Sequence, residues 1–559
     1  MTLLALHGIS KAFGGRQILR GLDLELPHGA RTGLVGPNGS GKSTLLRICV
    51  GLEESDAGTI TRQRGLKLAM LAQHPLGDER TPADTLRDAR DDLREIDAGL
   101  AECNAQLADP SVYNDATRME AVLHRQATLL DRYERAGGPS FEGRVRAMLA
   151  DVGLDERELT LPTRVLSGGQ RKLIGLAAAI VQDPQLLLLD EPEAHLDLEG
   201  RERLEWLMTR FAGGILVVSH DRYLLDETVT AIASLDAGQI RVWPGNYTAY
   251  AVARELELKR QQETFMAQRK EIERLEEASR RLIQWARSVP ASQSNKGLMN
   301  AARNLQRRVE RMDKIERPVL ERRRIGLELH PHQRGGKRAA ELRDLVVAFD
   351  EHQVLVGVDV TVMHGERVGV VGLNGAGKSV MLKTLVGQIA PTEGEVWVGP
   401  SIRIGYLAQD QDTLNPKLTP IETLRTTYPG TEEQAVSRLM AFLFDYEQVR
   451  RPIQTLSGGE RTRLQLLLLM LSGANLLVLD EPTNHLDIES IEALESSLEA
   501  FEGTAVFISH DRYFLDRMAD RVVEVRDGDA RSWLGGYSEW LARRDSATEP
   551  LAARSSIGS

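Results

Sequence analysis

The sequence predicts an α/β fold built twice in tandem, with a basic helical hairpin between the two copies. Three observations predict it. A Gly-x-x-x-x-Gly-Lys-Ser segment occurs in each half, at Gly36–Ser43 and Gly372–Ser379, each between an apolar strand-like run and a helical one. The runs Leu186–Leu189 and Leu476–Leu479 read as buried parallel strands ending on Asp190 and Asp480. Between the halves, residues 280–338 carry 16 Lys/Arg against 5 Asp/Glu, a local +11 in a chain whose net charge is −11, leaving −22 elsewhere. A protein polarised this way holds a basic element toward something anionic.

Length and composition set the outer limits. A chain of 559 residues with 42% hydrophobic content accommodates several domains with ordinary cores. The opening MTLLALHGIS lacks the charged start of a signal peptide and reads as a strand, so a soluble, cytoplasmic protein is expected. The apolar stretch Leu464–Leu479 is interrupted by Ser472, Gly473, Ala474 and Asn475, which fits a buried helix followed by a buried strand better than a membrane span. Cys49 and Cys103 are the only cysteines, too few for a disulfide framework or a zinc site.

The repeat is read from offsets. The phosphate loops and the glutamines of LAQ, Gln73 and Gln409, recur 336 residues apart. LSGGQ and LSGGE, LLLLDEP and LLVLDEP, VVSHDRYLLD and FISHDRYFLD, and the closing WPGNY and WLGGY recur 290 apart. The difference places 46 extra residues in the first half, at about 85–140, where two helix-like runs broken at Asp109-Pro110 predict a projecting helical arm. The expected domains are 1–253 with that arm, a linker at 254–338, a second domain at 339–545 and a disordered tail at 546–559.

The motifs carry phosphate chemistry. Gly36, Pro37, Asn38, Gly39, Ser40 and Gly41 form one loop, and Gly372, Leu373, Asn374, Gly375, Ala376 and Gly377 the other. Their backbone N–H groups can turn inward around phosphates at a helix N-terminus. Lys42 and Lys378 then reach the β/γ-phosphates, and Ser43 and Ser379 are placed to ligate Mg2+. Asp190 and Asp480, at strand ends beside these loops, supply the acceptor that a Mg2+ shell needs. Glu191 and Glu481 follow as candidate general bases for water. His220 and His510 follow two further strands and could bridge a γ-phosphate and that water.

Together these motifs resemble the ATP-binding cassette ATPases over nearly everything outside the linker and the insertion. The resemblance implies two tandem cassette (P-loop NTPase) domains that close head-to-tail on two ATP molecules. It implies adenine stacking by Phe13 and Phe349, each 23 residues before its loop, and a place for Gln73 and Gln409 in the nucleotide–Mg2+ shell. Ser167, Gly168, Gly169 and Gln170, with Ser457, Gly458, Gly459 and Glu460, would each meet the nucleotide on the opposite half, and Asp197 and Asp487 would line the seam. Two departures stand out. EPTNHLD in the second half is EPEAHLD in the first, with Glu193 and Ala194; and Val380 lacks the hydroxyl of Thr44. Both sites are expected to hydrolyse ATP, unequally.

The linker adds its own pattern. Leu258, Phe265 and Ile272 recur every seven residues, with Leu275 and Leu282 beside them; after Pro290, Leu298, Ala302, Leu305, Val309 and Met312 alternate four and three. Two such seams predict an antiparallel hairpin of helices of roughly 20–34 residues, about 30–50 Å long, with its tip at about 285–296. Arg280, Arg281, Arg287, Lys296, Arg303, Arg307, Arg308 and Arg311 crowd toward that tip and suit an RNA backbone. A transporter motor with membrane subunits on other chains, a DNA-repair cassette ATPase and a ribosome-binding cassette protein all fit two cassettes. Tandem cassettes with an arm in the first, a helical linker of about 80 residues, DEPTNHLD and SHDRYFLD resemble the ABC-F family. That resemblance implies binding in the ribosomal tRNA exit site, with the tip toward the peptidyl-transferase centre and the P-site tRNA. The effect would be regulation of translation or protection from antibiotics. A monomer with an intramolecular cassette pair is expected.

Overall fold

We analysed a computed structural model. It describes residues 2–71, 73, 77–288, 294–312, 337–350, 352–408, 414–442, 444–456, 458–484 and 486–552, without the side chains of Arg16, Tyr113, 294–296 and 545–552. The chain divides into two units, Thr248–Arg324 and the paired halves that flank it.

The first half opens with β1 (Thr2–Phe13) and β2 (Arg16–Pro27), then β3 (Arg31–Val35), α1 (Lys42–Val50), β4 (Ala57–Arg62) and β5 (Leu68–Leu71). Five helices follow: α2 (Pro82–Asp88), α3 (Asp91–Ala108), α4 (Pro110–Tyr113), α5 (Ala116–Arg135) and α6 (Gly138–Val152). The half closes with α7 (Gly168–Val181), β6 (Leu186–Asp190), α8 (Leu198–Arg210), β7 (Gly214–Val218), α9 (Arg222–Thr228), β8 (Ala231–Asp236) and β9 (Gln239–Pro244). An antiparallel sheet β2-β1-β4 stands beside a six-stranded sheet β5-β6-β7-β3-β8-β9, parallel except for its last pair. The apolar runs read as buried strands because they are covered on both faces. Leu186, Leu187, Leu188 and Leu189 are all fully buried.

The site is positioned by this strand order. β7 lies between β6 and β3, in parallel register with both, so the C-terminal ends of three neighbouring strands converge. The phosphate loop, the Asp190–Glu191 turn and the Ser219–His220 turn leave from those ends, where open parallel sheets bind ligands.

Helix α10 (Tyr247–Ser288) and helix α11 (Ser294–Glu310) form the linker. The second half repeats the first as β10 (Arg338–Phe349), β11 (His352–Met363), β12 (Arg367–Val371), α12 (Lys378–Leu385), β13 (Glu393–Val398), β14 (Ile404–Leu407), α13 (Pro420–Thr427) and α14 (Glu432–Ala441). It continues with α15 (Gly458–Leu471), β15 (Leu476–Asp480), α16 (Ile488–Ala500), β16 (Thr504–Ile508), α17 (Arg512–Met518), β17 (Arg521–Arg526), β18 (Asp529–Leu534) and α18 (Tyr537–Ala552). Its sheets, β11-β10-β13 and β14-β15-β16-β12-β17-β18, reproduce the first pair strand for strand.

Three elements differ from the sequence reading in their limits. The insertion corresponds to α3, α4 and α5, because α2 and α6 have counterparts in α13 and α14. Helix α3 lies along α5, joined by Arg125–Glu102 and Gln126–Asn104 contacts, both at 2.8 Å. Helix α10 has 42 residues and begins at Tyr247, seven before the expected start, since no helix breaker separates Asn246 from Pro290. Helix α18 continues to Ala552, past the expected boundary at 546, its Ala- and Arg-rich sequence favouring helix; residues 553–559 lie outside the described residues.

Within the linker the buried seam is Leu275, Ser279 and Ala286 on α10 against Ala302 on α11. Leu258, Phe265, Ile272 and Leu282 are half-buried, as are Leu298, Leu305, Val309 and Met312. Small residues bring the helices close enough for Ser279 Oγ to donate to the Ala302 carbonyl at 3.2 Å. At the tip Trp285 is exposed, while residues 289–293 lie outside the described residues.

Candidate functional site

Each phosphate loop is fixed from below by its sheet. A Cβ on Gly36 would stand 2.2 Å from the Leu235 carbonyl oxygen, and one on Gly372 would stand 2.2 Å from that of Val525, so neither position accepts a side chain. Lys42 Nζ donates to the carbonyls of Gly36 and Pro37 at 2.7 and 3.0 Å; Lys378 Nζ donates to those of Gly372 and Leu373, both at 2.8 Å. Burial pushes both ammonium groups down, and the neighbouring carboxylates oppose it.

Ser43 Oγ donates to Asp190 Oδ1 at 3.1 Å, and Ser379 Oγ to Asp480 Oδ1 at the same distance. Both aspartates are almost fully buried, and burial pushes their carboxyls up. The next residues, Glu191 and Glu481, adopt left-handed backbone (φ 46° and 51°), rare for glutamate and a mark of a turn held by its surroundings. Glu191 Oε1 is 3.8 Å from His220 Nε2; Glu481 Oε1 is 3.6 Å from His510 Nε2. Neither distance is a hydrogen bond, and both nitrogens of each buried imidazole have no hydrogen-bond partner among the described residues. Burial pushes His220 down to about 4 and lowers His510 as well, so both rings are neutral near pH 7.

The glutamates are oriented differently. Gln73 Nε2 donates to Glu191 Oε2 at 2.7 Å, so this glutamine contacts the candidate base itself. In the second half Asn484 Nδ2 donates to Glu481 Oε2 in a very short contact, an interaction that Ala194 cannot make in the first. Gln409 lies outside the described residues.

The halves meet across the loops. Asp197 caps α8 through Gly200 N at 2.9 Å and accepts from Asn374 N of the opposite loop at 3.1 Å. Asp487 caps α16 through Ser490 N at 2.9 Å and accepts from Asn38 N at 3.0 Å. The backbone N–H of each loop's Asn therefore reports directly to the other half.

Ser167 caps α7 in a reciprocal capping box with Gln170, whose Nε2 also donates to Glu158; Gln170 is thus engaged in building the helix terminus. Glu460 likewise accepts from Gln448 Nε2 at 2.6 Å. A Cβ on Gly169 would stand 2.8 Å from the His195 carbonyl, so the segment packs on the turn leading to Asp197. Gly458 and Gly459 open α15, and Ser457 lies outside the described residues. Phe13 and Phe349, at the ends of β1 and β10, are 45% and 48% exposed, and Lys11 Nζ stands 5.2 Å over the Phe13 ring. Gly39, Ser40, Gly41 and Thr44 of the first loop, and Gly375, Ala376, Gly377 and Val380 of the second, hold the corresponding loop and helix-start positions.

A buried charge network missed by the sequence reading joins the halves. Arg222 makes a short ion pair with Glu495, lies 3.6 Å from Asp511 and stacks 4.3 Å over the Tyr513 ring. Its counterpart Arg512 makes a short pair with Glu205 and stacks 4.2 Å over Tyr223. Arg201 pairs with Asp221 at 2.6 Å. Burial pushes Arg512 down to about 10, whereas Asp511 and Glu495 outweigh burial at Arg222 and raise it. The signal was available, since both arginines stand in the repeated SHDRY string.

Among the described residues no helix is long and apolar enough to cross a membrane. The family model described as "ABC transporter" matches residues 19–194 and 355–484, and a second model of that description matches 233–327. The chain is 30% identical over 552 residues to ABC transporter F family member 5 of Arabidopsis thaliana, covering 98% of this chain and 78% of that protein. It is 31% identical over 549 residues to the energy-dependent translational throttle protein EttA of Haemophilus influenzae, covering 96% of this chain and 95% of that protein. An archaeal ribosome recycling factor, solved with a ribosomal stalk protein, shares the fold with a TM-score of 0.59 at 19% identity, over 96% of this chain and 92% of that one. Two cassettes with paired phosphate loops, matched almost end to end by such relatives, place this chain in the ABC-F family of ATP-binding cassette ATPases.

Proposed function

We propose that this ATPase binds the ribosome and uses its interdomain hairpin to act on translation. The observation that carries the reading is on α11. Arg303, Arg307 and Arg311 recur every fourth residue, are exposed, and have no carboxylate within 4 Å among the described residues. On α10, by contrast, Arg280 and Arg281 face Glu276 and Glu277 at 3.8 and 3.5 Å. A row of uncompensated guanidinium groups suits the regularly spaced phosphates of an RNA backbone. The relative named a translational throttle supports the same direction.

In this reading two ATP molecules sit between the cassettes, each with Mg2+. Asp480 Oδ2 is buried without a hydrogen-bond partner among the described residues, as a carboxylate oxygen facing a cation would be. Ser43 and Asp190, or Ser379 and Asp480, would hold the ion, which supplies charge neutralisation of the phosphates. Glu191 and Glu481 accept the proton of water, His220 and His510 orient it, and Phe13 and Phe349 carry the adenines. ATP closes the cassettes and hydrolysis opens them. The hairpin enters the tRNA exit site, with Trp285 and the tip toward the peptidyl-transferase centre and the P-site tRNA. There it regulates elongation or shields the ribosome from antibiotics. The protein acts as a cytoplasmic monomer.

The test is co-sedimentation of Glu191→Gln/Glu481→Gln with ribosomes. Binding with ATP that is released by high salt is expected. No ATP-dependent binding overturns the reading, and recovery with membranes instead points to a transporter motor. Growth with a panel of peptidyl-transferase-centre antibiotics, with and without expression, separates protection from general regulation.

A further inference from the structure

The first ATP site contains a buried cation and a buried carboxylate where the second has two hydroxyls. Lys172 on α7 is 2% exposed, and its counterpart 290 residues later is Thr462, 5% exposed. Glu193 is 6% exposed, and its counterpart at the same offset is Thr483, 8% exposed. Burying either charge carries a desolvation cost that its neighbours must offset. Both are introduced together.

Their contacts reach the two catalytic turns. Lys172 Nζ donates in a very short contact to the backbone carbonyl of Glu191, the residue with left-handed backbone at the end of β6. Glu193 Oε1 accepts from Ser219 Oγ at 2.7 Å and from the backbone N–H of His220 at 2.8 Å. Glu193 Oε2 is buried and has no hydrogen-bond partner among the described residues. Of the carboxylates that act on the Lys172 ammonium, Glu193 contributes most, ahead of Glu191 and Asp190. In the second half Thr483 Oγ1 shares a 3.2 Å hydrogen bond with Ser509 Oγ, and Thr462 Oγ1 donates to Gly458 O within its own helix at 3.2 Å.

We propose that Lys172 and Glu193 are a positioning pair for the first ATP site. The ammonium fixes the Glu191 turn and the carboxylate fixes the His220 turn, so hydrolysis there depends on a charge pair that the second site lacks. The inference rests on Glu191 being the general base of that site, and neither member of the pair touches nucleotide.

The test uses the full chain with the second site silenced by Glu481→Gln, and reads single-turnover ATP hydrolysis alongside ATP affinity and thermal unfolding. Lys172→Thr and Glu193→Thr should each slow turnover about tenfold, with affinity within about twofold. The combined Lys172→Thr/Glu193→Thr variant, which installs the second site's own residues, should return to within about threefold of the starting rate. Glu193→Gln, which keeps shape and loses charge, should behave as the single variants do. Effects of the two singles that multiply in the double variant overturn the pair, as does a rate that falls only in proportion to folded protein. Unchanged turnover in Glu191→Gln refutes the base assignment and the pair with it. A slowed Glu191→Gln beside unaffected singles overturns the pair alone.

Discussion

The two ATP sites use the same strand ends and differ in what holds the catalytic turn. At the first, a lysine ammonium, a buried glutamate and Gln73 surround the Glu191 turn. At the second, Asn484 orients Glu481 and a Thr483–Ser509 hydroxyl pair occupies the place of the glutamate. A fold duplicated strand for strand therefore need not give two equivalent active sites. The sheet fixes where Asp and Glu emerge, while side chains one layer behind decide how firmly they are held.

The largest expected effect separates the sites by removing each base. Glu191→Gln and Glu481→Gln should each lower single turnover at their own site by about 10²–10⁴-fold, the usual range for a positioned general base. Per-site rates measured with the other site silenced should differ between the two; identical residual rates would erase the contrast.

A second comparison concerns the seam. Arg222→Ala leaves Asp511 buried beside the lost cation and Glu495 with Arg517 alone, and should cost about 3–5 kcal/mol in denaturant unfolding. Arg512→Ala should cost less, about 1–3 kcal/mol, because its partner Glu205 retains some contact with solvent. Equal losses would indicate that the network is symmetric in energy as well as in sequence.

The orienting amide gives a smaller effect. Asn484→Ala should slow the second site about three- to tenfold by freeing the Glu481 carboxylate, and Ala194→Asn should change the first site less, since Gln73 already donates to Glu191. Single turnover in the appropriate silenced background measures both.

Stability against pH tests the two histidines. His220 titrates near 6.5 when unfolded and is pushed down to about 4 by burial, so between those values the unfolded chain binds more protons. Stability is fully present above about pH 6.5 and falls as pH is lowered from there to about 4, by an amount on the order of 3 kcal/mol. His220→Asn should flatten that acid limb in melting curves recorded at several pH values. His510, lowered in the same direction, should give a similar flattening on substitution.

Much of this architecture was legible from local pattern. The 336- and 290-residue offsets gave the duplication and the place of the insertion, and the Asp-Glu pairs marked the ends of β6 and β15, because each is a short stretch of chain with its own geometry. The linker seams were partly legible. Apolar residues at heptad spacing marked the helices, and Ala302 was among them, but Ser279 and Ala286 on the facing helix carry no hydrophobic signal of their own. The side-chain partners of Gln170 and Glu460 were not legible: Gln170 closes a capping box with Ser167, and Glu460 accepts from Gln448.

The sequence by itself determined the two phosphate loops, the Asp-Glu pairs at the strand ends and the basic linker, since these follow from residues adjacent in the chain. Tertiary structure alone decided that Asp197 and Asp487 reach the opposite loops, that Arg222 and Arg512 bury their charges at the seam, and that Lys172 contacts the Glu191 turn and Glu193 the His220 turn in the first half. The reason is physical. A charge far from its partner in sequence reads as solvated until folding removes the water and leaves the partner as its main source of compensation.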